Sequence, residues 1–182
     1  MCPISFGRMT GERSFLRCER ASAATEMALV LPLLITLMFG ALEASSYLWN
    51  QHKVVKAVRD GARFAGRQAF GAFTCGGSDL VDQNGVTNAT VLGRIKDVTR
   101  TGTVDGTGVP AVPGWTNAQV TVTSRACDAA NTQTGIFADQ TSGAYRIRVS
   151  ATVPYRPLFS QLGFSTSTIG LRASSEAVVM GL

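Results

Sequence analysis

A chain of 182 residues, 45% hydrophobic and only 16% charged, suits one domain with an appendage better than two full domains. Its net charge of +5 is compatible with a nucleic-acid or membrane partner, but the basic residues gather beside one apolar run. Arg8, Arg13, Arg17 and Arg20 precede that run and Lys53, Lys56, Arg59, Arg63 and Arg67 follow it, which points to membrane lipid and away from nucleic acid.

Residues 1–21 read as a cytoplasmic leader. The uncharged stretch Met27–Leu42 lies between Glu26 and Glu43 and spans about 24 Å as a helix. A membrane crossing takes about 20 residues, and Ala21–Thr25 with Ala44–Trp49 supply the remainder, so a transmembrane helix is expected over 22–49. Six leucines with Val30, Ile35 and Phe39 favour insertion. Pro32, Thr36 and Gly40 oppose it, and Pro32 is expected to kink or loosen the first turns. Glu43, Tyr47 and Trp49 fall where interfacial anchors sit. A secretory signal is the competing reading: Ala44-Ser45-Ser46 is a passable cleavage site, although the core is long and Glu43 is atypical before it. Both flanks are basic, so charge alone does not orient the segment. The even split of the cysteines and a β-rich downstream region argue for an inner N-terminus and an exported C-terminal part.

From residue 50 the pattern turns amphipathic. Val54, Val55, Val58, Ala62, Ala65 and Ala69 share one face, and Lys56, Arg59, Asp60, Arg63 and Arg67 the other, so the helix is expected to continue over 50–70. Gly61 weakens it by about 1 kcal/mol relative to Ala. An exported α+β domain is expected over 71–182. It begins with a loop, 73–85, and a second short helix over Val86–Arg100 with Val91, Leu92, Ile95 and Val98 as its stripe. The Gly/Pro-rich segment 101–115 reads as irregular. Three alternating segments follow, around 118–123, 145–153 and 169–174, and read as half-buried antiparallel strands. Loop 126–143 is a candidate partner-facing tip. Arg146 and Arg148 share one strand face, read as solvated in preference to a docking patch. The fold class is therefore α+β: a long transmembrane-amphipathic helix, a second short helix and a small antiparallel sheet.

Cys2 and Cys18 precede the apolar run, and Cys75 and Cys127 follow it. If the C-terminal part is exported, Cys75 and Cys127 are candidates for a disulfide closing a loop of about 50 residues, worth roughly 3–4 kcal/mol. Two separate buried thiols are the alternative. The single histidine, His52, and the lack of a CxxC or Cys/His cluster leave no expected metal site and no cofactor. No nucleophile elbow, P-loop or HExxH pattern appears, so no catalytic residue is assigned and the chain is not expected to be an enzyme.

The stretch "ASAATEMALVLPLLITLMFGALEASSY", followed by "VVKAVRDGARFAG", resembles the TadE-like pseudopilins of tight-adherence (Tad/Flp-type) pilus systems. The resemblance is carried by Ser22, Ala23, Ala24, Thr25, Glu26, Met27, Pro32, Phe39, Gly40, Glu43, Asp60, Gly61, Ala62 and Arg63, about a quarter of the chain. It implies a pilin-like, non-catalytic minor pilin or pseudopilin. The protein would be single-pass in a bacterial inner membrane, with its C-terminal domain periplasmic or extracellular. Its partners would be other pilin subunits, the Tad assembly machinery and a prepilin peptidase. Cleavage is implied between Ala21 and Ser22, with Ala21 in place of the family's glycine. Glu26 would then be the fifth residue and would pair with a neighbouring subunit's new amine; the plainer reading is a helix-N-terminal acid at the headgroups. A type II secretion pseudopilin is a near alternative, although its usual Gly-Phe at the cut is Ala21-Ser22 here. A membrane-anchored or secreted periplasmic ligand-binding module is the other.

Overall fold

A computed structural model describes residues 19–74, 89–124, 127, 134–140, 143–160 and 169–181. The chain divides into two compact units between Leu42 and Glu43. Helix α1, Glu19–Gly66, contributes to both and stays helical through Pro32. Thr36 Oγ1 donates to the Leu33 carbonyl at 2.9 Å on the turn after the proline.

In the first unit the helix is apolar on every face. Exposure runs from 39% at Phe39 to 79% at Leu29, with consecutive residues such as Leu33, Leu34 and Ile35 all open. A helix that is apolar all round needs apolar surroundings on every side. By length and composition this one is apolar enough to cross a membrane.

In the second unit the same helix becomes one-sided. Val54, Val58, Ala62 and Ala65, spaced four, four and three residues apart, are buried, whereas Lys56, Arg59 and Arg63 are exposed. Helix α2, Ala89–Thr101, buries the expected stripe of Val91, Leu92, Ile95 and Val98, and Thr99 with them. The two helices meet at Gly61. A Cβ there would fall on Thr99 Oγ1 and come within 3.0 Å of the Thr99 Cβ, so only glycine permits this approach. Thr99 Oγ1 is satisfied by donating to the Ile95 carbonyl at 2.7 Å.

Strands β1 (Val120–Ser124), β2 (Arg146–Pro154) and β3 (Gly170–Val178) form an antiparallel sheet in the order β1-β2-β3. Val120 pairs with Ala151 and Val122 with Val149; Ala151 pairs with Ala173 and Val153 with Leu171. Because side chains alternate between faces, this register puts all of them on one side. There they join the α1 and α2 stripes in a single core. Each fully buried valine, isoleucine or leucine contributes about 1.5–3 kcal/mol.

Two boundaries differ from the sequence expectation. Helix α1 ends at Gly66, four residues short of 70, and Ala69 is exposed and outside the buried stripe. The Gly66 carbonyl accepts the Met180 N–H at 2.8 Å, and a Cβ on Gly66 would meet the Val178 carbonyl at 2.9 Å, so the end of the sheet docks where the helix stops. Strand β3 continues past 174 to Val178, where Arg146 pairs with it. The irregular 101–115 segment is irregular as expected but is part of the core, with Val112 and Trp115 buried. Residues 86–88, most of loop 73–85 and half of loop 126–143 lie outside the described residues.

Candidate functional site

The backbone of Ala21 and Ser22 is helical within α1. Glu26 is exposed and has no hydrogen-bond or ionic partner among the described residues. It is the only carboxylate between Ala21 and Leu42, on a segment whose other exposed side chains are overwhelmingly apolar. With α1 helical from Glu19 onward, Glu26 lies at least about two turns inside it. The favourable pull of a helix N-terminus on an acid fades within the first turn, so the dipole does little for Glu26 in the uncut chain.

Glu43 is differently placed. Its Oε1 accepts the Tyr155 hydroxyl at 2.7 Å and its Oε2 accepts the Leu158 backbone N–H at 3.1 Å. Tyr47, one turn on, meets the Tyr155 ring edge-to-face with centroids 5.3 Å apart. Two of the three expected interfacial anchors thus also hold the segment after β2. Trp49 stays 65% exposed, with Lys53 Nζ 5.6 Å from its ring centroid. Sequence reading missed Tyr155 and Leu158, whose partner lies more than a hundred residues earlier and which no local pattern flags.

Burial pushes the Tyr155 phenol above its ordinary value; a hydrogen bond with Ser46 works against this, and the Glu43 carboxylate adds to it. The neutral phenol is the form the fold prefers. Its contribution is therefore complete below the ordinary value of 10.0 and is lost as pH rises through the raised value. Tyr155→Phe should lower stability at neutral pH by about 1–2 kcal/mol and flatten the alkaline loss. Urea midpoints measured from neutral pH to beyond the phenol's ordinary value check both effects.

On the sheet's outer face Arg148 is neutralised by Glu176, through Nε at 2.8 Å and Nη2 at 2.7 Å, while Arg146 is exposed. A partly exposed pair of this kind is worth about 0–1 kcal/mol. A cleft of about 270 Å³ between α1 and α2 is lined by Lys53, Lys56, Asp60, Arg100 and Val109 among others. Arg100 is already engaged there: its Nε donates to Asn117 Oδ1 at 2.9 Å and its Nη2 lies 3.6 Å from Asp97. Among the described residues no cluster of His, Cys, Asp and Glu forms a metal site. Cys127 is disulfide-bonded, and Cys75, its expected partner, lies outside the described residues.

An all-round apolar N-terminal helix leading into an α+β unit defines a candidate membrane-anchored protein. The family model for TadE-like protein matches residues 21–63, the segment in which the resemblance was read, and associates the chain with Tad pilus systems. No curated protein and no solved structure matches the chain.

Proposed function

We propose that the chain is a non-catalytic pseudopilin or minor pilin of Tad-type pilus assembly, anchored in the bacterial inner membrane with its C-terminal unit on the outer side. One observation carries the reading: a lone carboxylate, Glu26, on the apolar stretch 21–42 of α1, inside the TadE-like segment. A carboxylate held among apolar groups is costly unless it is paired. Cleavage by a prepilin peptidase between Ala21 and Ser22 removes the residues before Ser22 and leaves Glu26 about one turn from the new N-terminus. The same cut frees an amine. Pairing Glu26 with the amine of a neighbouring subunit sets the register of two apolar helices as they leave lipid for a bundle. Its partners are then other pilin subunits, the assembly machinery and the peptidase. Cys75 completes the disulfide of Cys127, which suits an oxidising compartment.

Glu26→Ala and Glu26→Gln should leave the chain in the membrane fraction and abolish or sharply reduce piliation. Normal piliation by both variants would overturn the pairing. The mature N-terminus should be Ser22; a start near Tyr47 would make the apolar run a secretory signal and overturn the pilus reading.

A further inference from the structure

The unit that begins at Glu43 carries exposed apolar side chains at the level where its chain begins. On α1, Leu48 is 57% and Trp49 is 65% exposed. Leu158, 58% exposed, is brought to the same level because its N–H donates to Glu43. Ile169, 43% exposed, follows because its carbonyl accepts the Tyr155 N–H at 3.1 Å. Residues 43–49 occupy only about 9 Å of helix axis, so Leu48 and Trp49 lie near the level at which Glu43 holds Leu158, and Ile169 is bonded to the segment that carries it. Scattered exposed apolar residues are ordinary on a protein surface. Here they belong to the segments joined to Glu43, where the second unit begins.

The polar groups at this level have the matching chemistry. Glu43 has both carboxylate oxygens taken by Tyr155 and Leu158. Helical side chains lean toward the helix N-terminus, and the Lys53 ammonium does so, reaching back over the Trp49 ring. His52 is exposed beside it. The next carboxylate along α1, Asp60, already faces Arg63 at 3.8 Å. An indole and aliphatic side chains beside a lysine folded back along the helix is the composition of a headgroup layer, and unopposed lysine there is drawn to anionic lipid.

We propose that Leu48, Trp49, Leu158, Ile169 and Lys53 form a collar that seats the 43–182 unit in the headgroup layer of a bilayer containing anionic phospholipid. Glu43 holds the 155–158 segment at that level. This rests on the reading of α1 as a membrane anchor. The test uses the full chain in phosphatidylcholine vesicles with and without phosphatidylglycerol, made with lipids brominated either near the glycerol or near the chain terminus. The Trp49 signal is the difference between the native chain and Trp49→Phe, because the other tryptophan, Trp115, is buried.

Trp49 should be quenched several-fold more by the shallow bromines than by the deep ones, and more in the presence of phosphatidylglycerol. Lys53→Glu should abolish the phosphatidylglycerol-dependent gain. Quenching that ignores phosphatidylglycerol and Lys53→Glu would overturn the anionic-lipid contact. A chain that survives an alkaline wash of the vesicles, yet has a Trp49 untouched by either bromine and open to acrylamide from water, would overturn the collar alone. A chain that washes out would overturn the anchor reading and the collar with it.

Discussion

Gly61→Val is expected to cost the 43–182 unit about 3 kcal/mol, even though it replaces a poor helix former. At an exposed helix site, exchanging glycine for a residue with a side chain gains a few tenths to about 1 kcal/mol. Gly61 is not exposed: it is buried against Thr99 of α2, and a new Cβ would fall on Thr99 Oγ1. Thr99 cannot swing aside cheaply, because it is fully buried and its hydroxyl is held by the Ile95 carbonyl. The helices must separate, which opens voids around Val58, Ala62 and Ile95. The smaller change Gly61→Ala tests the cause through a double-mutant cycle. Gly61→Ala alone should destabilise, Thr99→Ala alone should cost about 1 kcal/mol, and the pair should recover roughly 1–2 kcal/mol of the sum of the single effects. Urea unfolding of the full chain in detergent, followed by Trp115 emission, reads this out. Strict additivity of the two changes would mean that Gly61 and Thr99 do not oppose one another.

That expectation reverses the meaning of Gly61 in the sequence, where it reads only as a local weakness in a helix. Periodicity identifies what a segment buries but not how closely its partner approaches. Val91, Leu92, Ile95 and Val98 could be read as a stripe because they repeat at three and four residues, and all are buried. Val120, Val122, Val149 and Val153 could be read as strand cores because they alternate, and they share one face of the sheet. Thr99 escapes such a reading because a threonine beside a stripe looks like its polar margin. Trp115 escapes because 101–115 has no period at all. Its path depends on Gly102 and Gly114 at φ of 77° and 78°, conformations open chiefly to glycine. Strand β3 is cut short at 174 on the sequence because Ser175 falls at an apolar position of the alternation, whereas the ladder with β2 carries on through it. In the candidate site, Glu26, Glu43, Tyr47 and Trp49 stand out as charges and aromatics bordering an apolar run. That Glu43 and Tyr47 turn toward Tyr155 is a long-range contact across more than a hundred residues, which no local pattern encodes.

Cys75→Ser should lower the Tm of the oxidised chain by an amount on the order of 10 °C, and dithiothreitol should lower the native Tm to the same value. Cys127 is disulfide-bonded. The two N-terminal cysteines precede the apolar helix, which in the anchor reading places them across the membrane from Cys127. Cys75 remains, and the fold brings its neighbour to the right place: Ser124 Oγ donates to the Thr74 carbonyl at 2.8 Å, one residue before Cys75 and three before Cys127. Phe73, buried in the core, fixes the same end of the segment. The bond would close a loop of about 50 residues, and the loss of unfolded-state entropy is worth roughly 3–4 kcal/mol. In a unit of this size each kcal/mol moves Tm by about 2–4 °C, and native-state strain takes back part of the ideal gain. The stabilised loop, 75–127, contains α2 and β1, so losing the bond should loosen both. Cys2→Ser and Cys18→Ser should leave Tm unchanged in both redox states. If Cys75→Ser melted with the native chain while Cys2→Ser or Cys18→Ser melted lower, the bond would join the two ends of the anchor helix. The opposite-sides topology would then fall with it.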